Sequence, residues 1–417
     1  MREIVLSRPA ALASWMFLLA LLGAPPQSSA HDGILFGLQP FVQEDELLGG
    51  STSWGLVLRE GEELLWTCSE TTGSNVFWRH LGTDGLLLAG TGDGIRISED
   101  GGCSWSAVPD FPGELANYSV APHPTDPLRL VSVTGGSEQT NHLLESLDGG
   151  RTWTSLRSVA GASFWRAVWG RAGDDLLLEQ VSDAGVPVLH FSAEGGRSWL
   201  VEDFPLEGWN SVGLFGPSLS GVDLWFTGLS PSGEFTLARL PFSLDGEVVV
   251  ERSFPKILTA FVERPEGLHI VLSFMTYILW VPGEEDYVEQ DPGVSACLRD
   301  FDGVLWGCGG EPNHAQFSRS DDGTSWEGIL FLDDVVPRSC PSDSPAAELC
   351  PQAWELVQEA LLMPPVPGDD DDDDDSSEDA AGCEDCSSGN GGAQAALLLC
   401  ALPGLLRRRR LLRSRRR

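Results

Sequence analysis

The chain has 417 residues and a formal net charge of -36, with 26 basic against 62 acidic side chains. A surface this acidic repels phosphate backbones, which argues against nucleic acid as a partner. Its 48 glycines, 15 tryptophans and 18 phenylalanines, beside one lysine at Lys256, suit short aromatic strands separated by glycine turns.

In chain order, Arg2 and Arg8 precede an apolar run from Ala10 to Ala24, and Pro25-Pro26-Gln27-Ser28-Ser29-Ala30 follows. A basic start, an apolar middle and a small-residue end predict a secretory signal over residues 1–30, cleaved after Ala30. Export gives meaning to the six cysteines of the body, Cys68, Cys103, Cys297, Cys308, Cys340 and Cys350. An even number in an oxidising compartment predicts disulfides, although spacing leaves the pairing open. Cys297 and Cys308 flank a hairpin turn at Phe301-Asp302-Gly303 and are expected face to face. Cys340 with Cys350 is the next best expectation, and Cys68 with Cys103 follows by elimination. The body has no C-x-x-C pair, so neither a zinc site nor any other cofactor is expected.

From residue 31 to 338 a short motif recurs. Its first copy holds Ser98, Asp100, Gly102 and Trp105; its second Ser146, Asp148, Gly150 and Trp153; its third Ser192, Glu194, Gly196 and Trp199; its fourth Asp321, Gly323 and Trp326. Each follows two apolar runs, as Leu86-Leu87-Leu88 and Ile95-Arg96-Ile97 precede the first. The acid is expected to accept backbone N–H groups in a tight turn joining the last two strands of a unit. The glycine supplies a backbone shape that side chains resist, and the tryptophan opens the outer strand with a ring to bury. Glu194 in place of Asp lengthens the reach. Units this small cannot bury both faces of a sheet, so they must stack. The wide gap between Trp199 and Trp326 leaves room for worn copies at Ser243-Leu244-Asp245-Gly246 and Glu284-Glu285-Asp286. A further worn copy around Leu64 to Gly73 makes seven units, the favoured count; without it there are six.

These S-x-D-x-G-x-[ST]-W stretches resemble the Asp-box, or BNR, repeats of β-propellers found in sialidases, xyloglucanases and sortilin-type receptors. The resemblance implies an all-β fold, a single six- or seven-bladed propeller, and says little about activity. Beyond it, residues 339–363 read as a disulfide-stapled segment with a short helix from Ala353 to Met363 carrying Trp354, Val357 and Leu361 on one face. Residues 364–382 are a Pro- and Asp-rich spacer held extended by the run Asp369 to Asp375. Residues 383–417 bring together Cys383, Cys386, an apolar segment from Ala393 to Leu406 and an arginine cluster. This tail resembles a MYXO-CTERM sorting signal. The resemblance implies a membrane stop before a sorting protease cuts near the cysteines and the product is displayed at the surface.

The functional expectation is an exported, surface-displayed, non-catalytic module that binds an unidentified glycan or protein, with aromatic loops such as Phe164 to Trp169 as candidates. Its site is expected away from Asp100, Asp148, Glu194 and Asp321. The alternative is a sialidase-like glycoside hydrolase, for which that family's arginine triad, Tyr–Glu pair and F-R-I-P motif are the markers. No F-R-I-P occurs, and only Tyr118, Tyr277 and Tyr287 are available. The seven histidines form no H-E-x-x-H, and no G-x-S-x-G is present.

Overall fold

Runs such as Leu87-Leu88-Ala89, Leu176-Leu177-Leu178 and Leu224-Trp225-Phe226 are apolar on both faces and almost wholly buried, as befits a strand held between two other sheets. Each is the second strand of a four-stranded antiparallel meander. A computed structural model describes residues 38–361, apart from 44–45, 53, 74–75, 83, 110, 112–115, 136–139, 161–162, 172, 182–185, 207, 274–275, 291–296 and 310–314. It contains seven such sheets, and the chain is a seven-bladed β-propeller. Blade 1 spans residues 39–67, blade 2 76–107, blade 3 116–160, blade 4 163–205, blade 5 210–254, blade 6 258–290 and blade 7 297–330. The expected worn copy at Leu64 to Gly73 is corrected. Those residues are the outer strand of blade 1, Glu63–Thr67, and a 3-10 turn, Ser69–Thr72. The turn before that strand is only Gly61 and Glu62, too short for the motif.

The ring closes by a device without a sequence signature. Val335–Pro337 adds a parallel fifth strand to the outer edge of blade 1, with Val335 opposite Leu64 and Pro337 opposite Trp66. This covers a row of backbone groups that would otherwise template aggregation. Arg338 then donates its backbone N–H to the Trp66 carbonyl at 2.8 Å and pairs with Glu60 at 2.6 Å. On the inner side, Phe317 of blade 7 fills the space where a side chain on Gly50 of blade 1 would stand.

Two cross-links hold the returning segment. Cys68 is joined to Cys350 and Cys103 to Cys340, while Cys297 and Cys308 bridge neighbouring strands of blade 7. The expected pairs Cys340–Cys350 and Cys68–Cys103 are therefore wrong. The segment between Cys340 and Cys350 runs from the turn of blade 2 to the outer side of blade 1, so its two ends meet different partners. Helix α1 (Pro345–Leu361) begins eight residues before the expected start. Ser344 caps it by accepting from the Ala347 N–H, and Pro345 suits its first position. Pro351 inside it removes one backbone donor, the reason a helix is not expected across it from sequence. Val357 and Ala353 are buried against blade 1, and Trp354 meets Trp66 with ring centroids 5.0 Å apart. Among the described residues no helix is long and apolar enough to cross a membrane. Three disulfides belong to an oxidising compartment, and the chain is an exported one by that chemistry.

Candidate functional site

Because each blade is a meander, the turn between its third and fourth strands lies on the same propeller face as the turn between its first and second. The repeated motif occupies the third-to-fourth turn in blades 2, 3, 4 and 7. In blade 3, Ser146 Oγ accepts from the Gly150 N–H and donates to Asp148 Oδ1, both at 2.8 Å. Asp148 also accepts from the Thr152 N–H at 2.9 Å and the Thr152 hydroxyl at 2.6 Å. Blade 2 repeats the set with Ser98, Asp100, Gly102 and Ser104. Partial burial pulls the Asp148 carboxyl upward, but the bonds from Thr152 and Ser146 outweigh it and hold it below the usual carboxylate range.

In blade 4, Ser192 Oγ still accepts from Gly196 N–H, and Glu194 reaches the Ser198 hydroxyl at 2.8 Å. In blade 7 the capping acid is Asp322, not Asp321. Asp322 Oδ1 accepts from Thr324 N–H at 2.8 Å and Ser325 N–H at 2.9 Å, whereas Asp321 gives only its carbonyl to Arg264. The turn there is one residue shorter, with Ser320 six positions before Trp326, so counting back from the tryptophan overshoots.

Blade 5 keeps a remnant in the bond from Ser243 to Asp245 at 2.7 Å. The Glu284 turn of blade 6 is held instead by Trp280 Nε1 and Arg252, which donate to its carbonyls. The motif glycines pack onto the preceding blade: Gly102 faces Leu56, Gly150 faces Leu88, Gly196 faces Leu143, and Gly323 faces His269 and Tyr277. Trp153 and Trp326 donate their indole N–H to the carbonyls of Gly150 and Gly323. These turns hold blades together, and none of their residues lines the central cavity.

That cavity has a volume of about 1090 Å³ and is walled by the first strands of all seven blades. Most of its lining is the C-terminal half of those strands and the turns that follow, so it lies toward the face carrying the motif turns. The stretch Phe164 to Trp169, expected as an aromatic loop, belongs to the first strand of blade 4, Ser163–Trp169. The pairing of this strand with its neighbour slips between Phe164 and Arg166, which brings Arg166 into register with Glu179. A bulge of this kind re-aims a side chain.

The cavity is mostly apolar, with Phe41, Val42, Val168, Trp169, Phe215, Phe261 and Phe301 in its wall; Phe215 and Phe261 stack at 5.2 Å. Its charged residues are Arg166, Arg171, Arg264 and Arg299 against Glu263 and Asp300, beside His80. The two acids are engaged. Glu263 accepts from Leu219 N–H at 2.8 Å and Trp225 Nε1 at 2.9 Å, and Asp300 accepts from Gly303 N–H and faces Arg264 at 3.4 Å. Arg264 is also spent, on Glu266 at 3.1 Å and two carbonyls.

Arg166 and Arg299 make no ion pair among the described residues. Burial, and then repulsion from Arg299, lower the Arg166 guanidinium to about 10, with Glu179 opposing. Arg299 is open to the cavity yet enclosed by protein elsewhere, and that desolvation lowers it too. Glu179 is 3% exposed, and burial raises its carboxyl to about 8 against the pull of Arg166. Burial likewise lowers His80 to about 4, so it is neutral at pH 7.

Among the described residues no tyrosine lines the cavity. Tyr277 meets His269 through its hydroxyl at 2.5 Å, Tyr118 packs on Phe77, and Tyr287 packs on Phe254. Nor, among the described residues, is any group of three His, Cys, Asp or Glu placed to hold a metal ion. Ala30, Cys383 and Cys386 lie outside the described residues.

No protein-family model matches the chain, and no curated protein matches it. Among solved structures it is similar to the GH74 enzyme of Niastella koreensis, at 16% identity over 68% of this chain and 43% of that one, with a TM-score of 0.44. It is also similar to YCF48 bound to D1 peptide, at 15% identity over 60% and 79% of the two chains, with a TM-score of 0.39. TolB from Acinetobacter baumannii gives 15% identity, 57% and 58% coverage and a TM-score of 0.41. The chain spans less than half the length of the GH74 enzyme. At these identities and scores the likeness carries no information on activity or ligand.

Proposed function

We propose that this chain is a surface-displayed binding module that takes a glycan or protein ligand into its central cavity. The observation that carries the reading is the cavity's wall: seven strands contribute apolar and aromatic side chains with a few polar groups, the usual make-up of a binding site. Among the described residues the wall includes no Ser, Thr, Cys, Lys or Tyr, so it offers no hydroxyl, thiol or amine nucleophile. Its two carboxylates are held by the protein's own donors, which disfavours the glycoside hydrolase alternative.

The serine and acid bonds of blades 2, 3, 4 and 7 support reading the turns as Asp-box repeats. Cys383, Cys386, the apolar segment and the arginine cluster support a MYXO-CTERM-type tail, which passes through the membrane until a sorting protease removes it. A glycan and peptide array probed with the purified chain tests the binding reading. Retention of a defined ligand without its conversion is expected, and turnover of a glycan would overturn it. Mass spectrometry of surface protein should find a start at His31 and an end near Cys383; an intact Arg417 on displayed protein refutes the processing.

A further inference from the structure

In a chain of net charge -36, the wall of the central cavity carries four arginines against two acids. A cationic lining inside so acidic a protein is not a by-product of composition. Two of the four arginines, Arg166 and Arg299, make no ion pair among the described residues, and Arg171 stands exposed at the rim. Arg166 and Arg299 come from different blades and both line the one cavity. Cations that line one concave site raise the local concentration of an anion there. The acid nearest in register to Arg166, Glu179, is 3% exposed on the second strand of the blade and is not part of the cavity wall.

The rest of the wall sets the other half of the ligand. Phe215 and Phe261 stack, and Phe41, Phe301 and Val168 extend the apolar surface. The volume of about 1090 Å³ is far larger than one inorganic ion needs and suits a molecule of drug or short-peptide size. We propose that the cavity binds a carboxylate joined to an apolar body, with Arg166 and Arg299 holding the carboxylate and the phenylalanine wall receiving the body. Guanidinium is the fitting cation here, because its planar fork matches both oxygens of a carboxylate. The proposal rests on the binding reading above and names the chemistry of its site. Such a group is carried by the free C-terminus of an apolar peptide or by a small aryl or acyl acid.

Isothermal titration of the full chain tests this with two probes and their neutral partners: 4-phenylbutyrate against 4-phenylbutanol, and acetyl-Ala-Leu-Phe with a free C-terminus against its amide. The expected result is binding of at least one acid, weakened about tenfold or more when its charge is removed. Arg299→Gln and Arg166→Gln are each expected to weaken the same acid to a similar degree. Arg319→Gln, which alters an exposed pair with Glu327 on the outer strands of blade 7, should leave it unchanged. Melting curves monitor folding of each variant; should Arg166→Gln fail to fold, Arg299→Gln and the neutral probes decide. Binding of only the peptide acid, or only the small acid, identifies the source.

The proposal is overturned if neither acid binds at millimolar concentration, if the alcohol or amide binds equally well, or if Arg299→Gln leaves the affinity unchanged. A ligand found on the array with no response to either acid would remove this proposal and leave the binding reading standing.

Discussion

Replacing Gly150 with alanine tests whether the motif turns work as inter-blade joints. Gly150 has φ +97°, where an L side chain is strained by about 1 kcal/mol or slightly more. A Cβ there would lie 2.4 Å from Leu88 Cδ1 and 2.8 Å from Cδ2, and Leu88 is fully buried in the preceding blade. Forcing such a contact into a filled core costs about 1–3 kcal/mol. Gly150→Ala is therefore expected to lose about 3 kcal/mol in urea unfolding followed by tryptophan fluorescence. Gly233 supplies the control, since it has φ +85° and nothing within 4 Å of the place where an alanine methyl would stand. Gly233→Ala pays only the backbone cost, about 1 kcal/mol. Equal losses in the two variants would refute the claim that the turn glycine joins blade 3 to blade 2.

Four further expectations follow from particular contacts. Cys103→Ser opens a link between residues 237 apart that lies inside the Cys68–Cys350 link, and should destabilise by about 4 kcal/mol on the chain-entropy account, against about 3 kcal/mol for Cys297→Ser, whose partners are 11 apart; thermal melts rank them, and the reverse order would contradict the closure. Asp322→Ala should lower the melting temperature more than Asp321→Ala, because only Asp322 accepts the turn's N–H groups. The depressed carboxyls of Asp100 and Asp148 contribute stability that is present above their unfolded value of 3.8 and lost as pH falls through their lower folded values; acid titration should show Asp148→Ala converging on the wild type at low pH. Glu179 works in the opposite sense. Its folded pKa of about 8 exceeds the unfolded 4.5, so the folded state holds the extra proton and stability falls as pH rises between them. Glu179→Gln should flatten that fall between pH 5 and 8, and an unchanged slope would show that Glu179 does not keep its proton.

The blade phase is legible because Ser146, Asp148, Gly150 and Trp153 bond to one another within a few residues, and local chemistry of this kind survives in sequence. Ring closure is not. Val335–Pro337 has three residues and no periodicity, and its parallel partner lies at the other end of the propeller in sequence. The links Cys68–Cys350 and Cys103–Cys340 depend on that same return, so nearness in sequence points to the wrong pairs. Spacing from Trp326 points to Asp321 rather than Asp322 because the last turn is one residue shorter.

The cavity arginines are hidden in a different way. Arg166 sits among aromatics in a stretch that reads as a loop, and its aim depends on a bulge that no residue type marks. A usable signal does exist: Arg79, Arg166, Arg264 and Arg299 each occupy the first strand of a blade in a chain poor in basic residues. Aligning blades on their first strands, rather than on the tryptophan of the motif, exposes it.

The most direct test of the central claim is the affinity of the strongest array ligand for Gln43→Trp beside the wild type. Gln43 is an exposed residue at the end of the first strand of blade 1 and lines the cavity, so an indole there occupies the ligand's space without entering the core. Loss of binding with an unchanged melting temperature is the predicted result. Undiminished affinity would place the ligand elsewhere on the propeller and contradict the account.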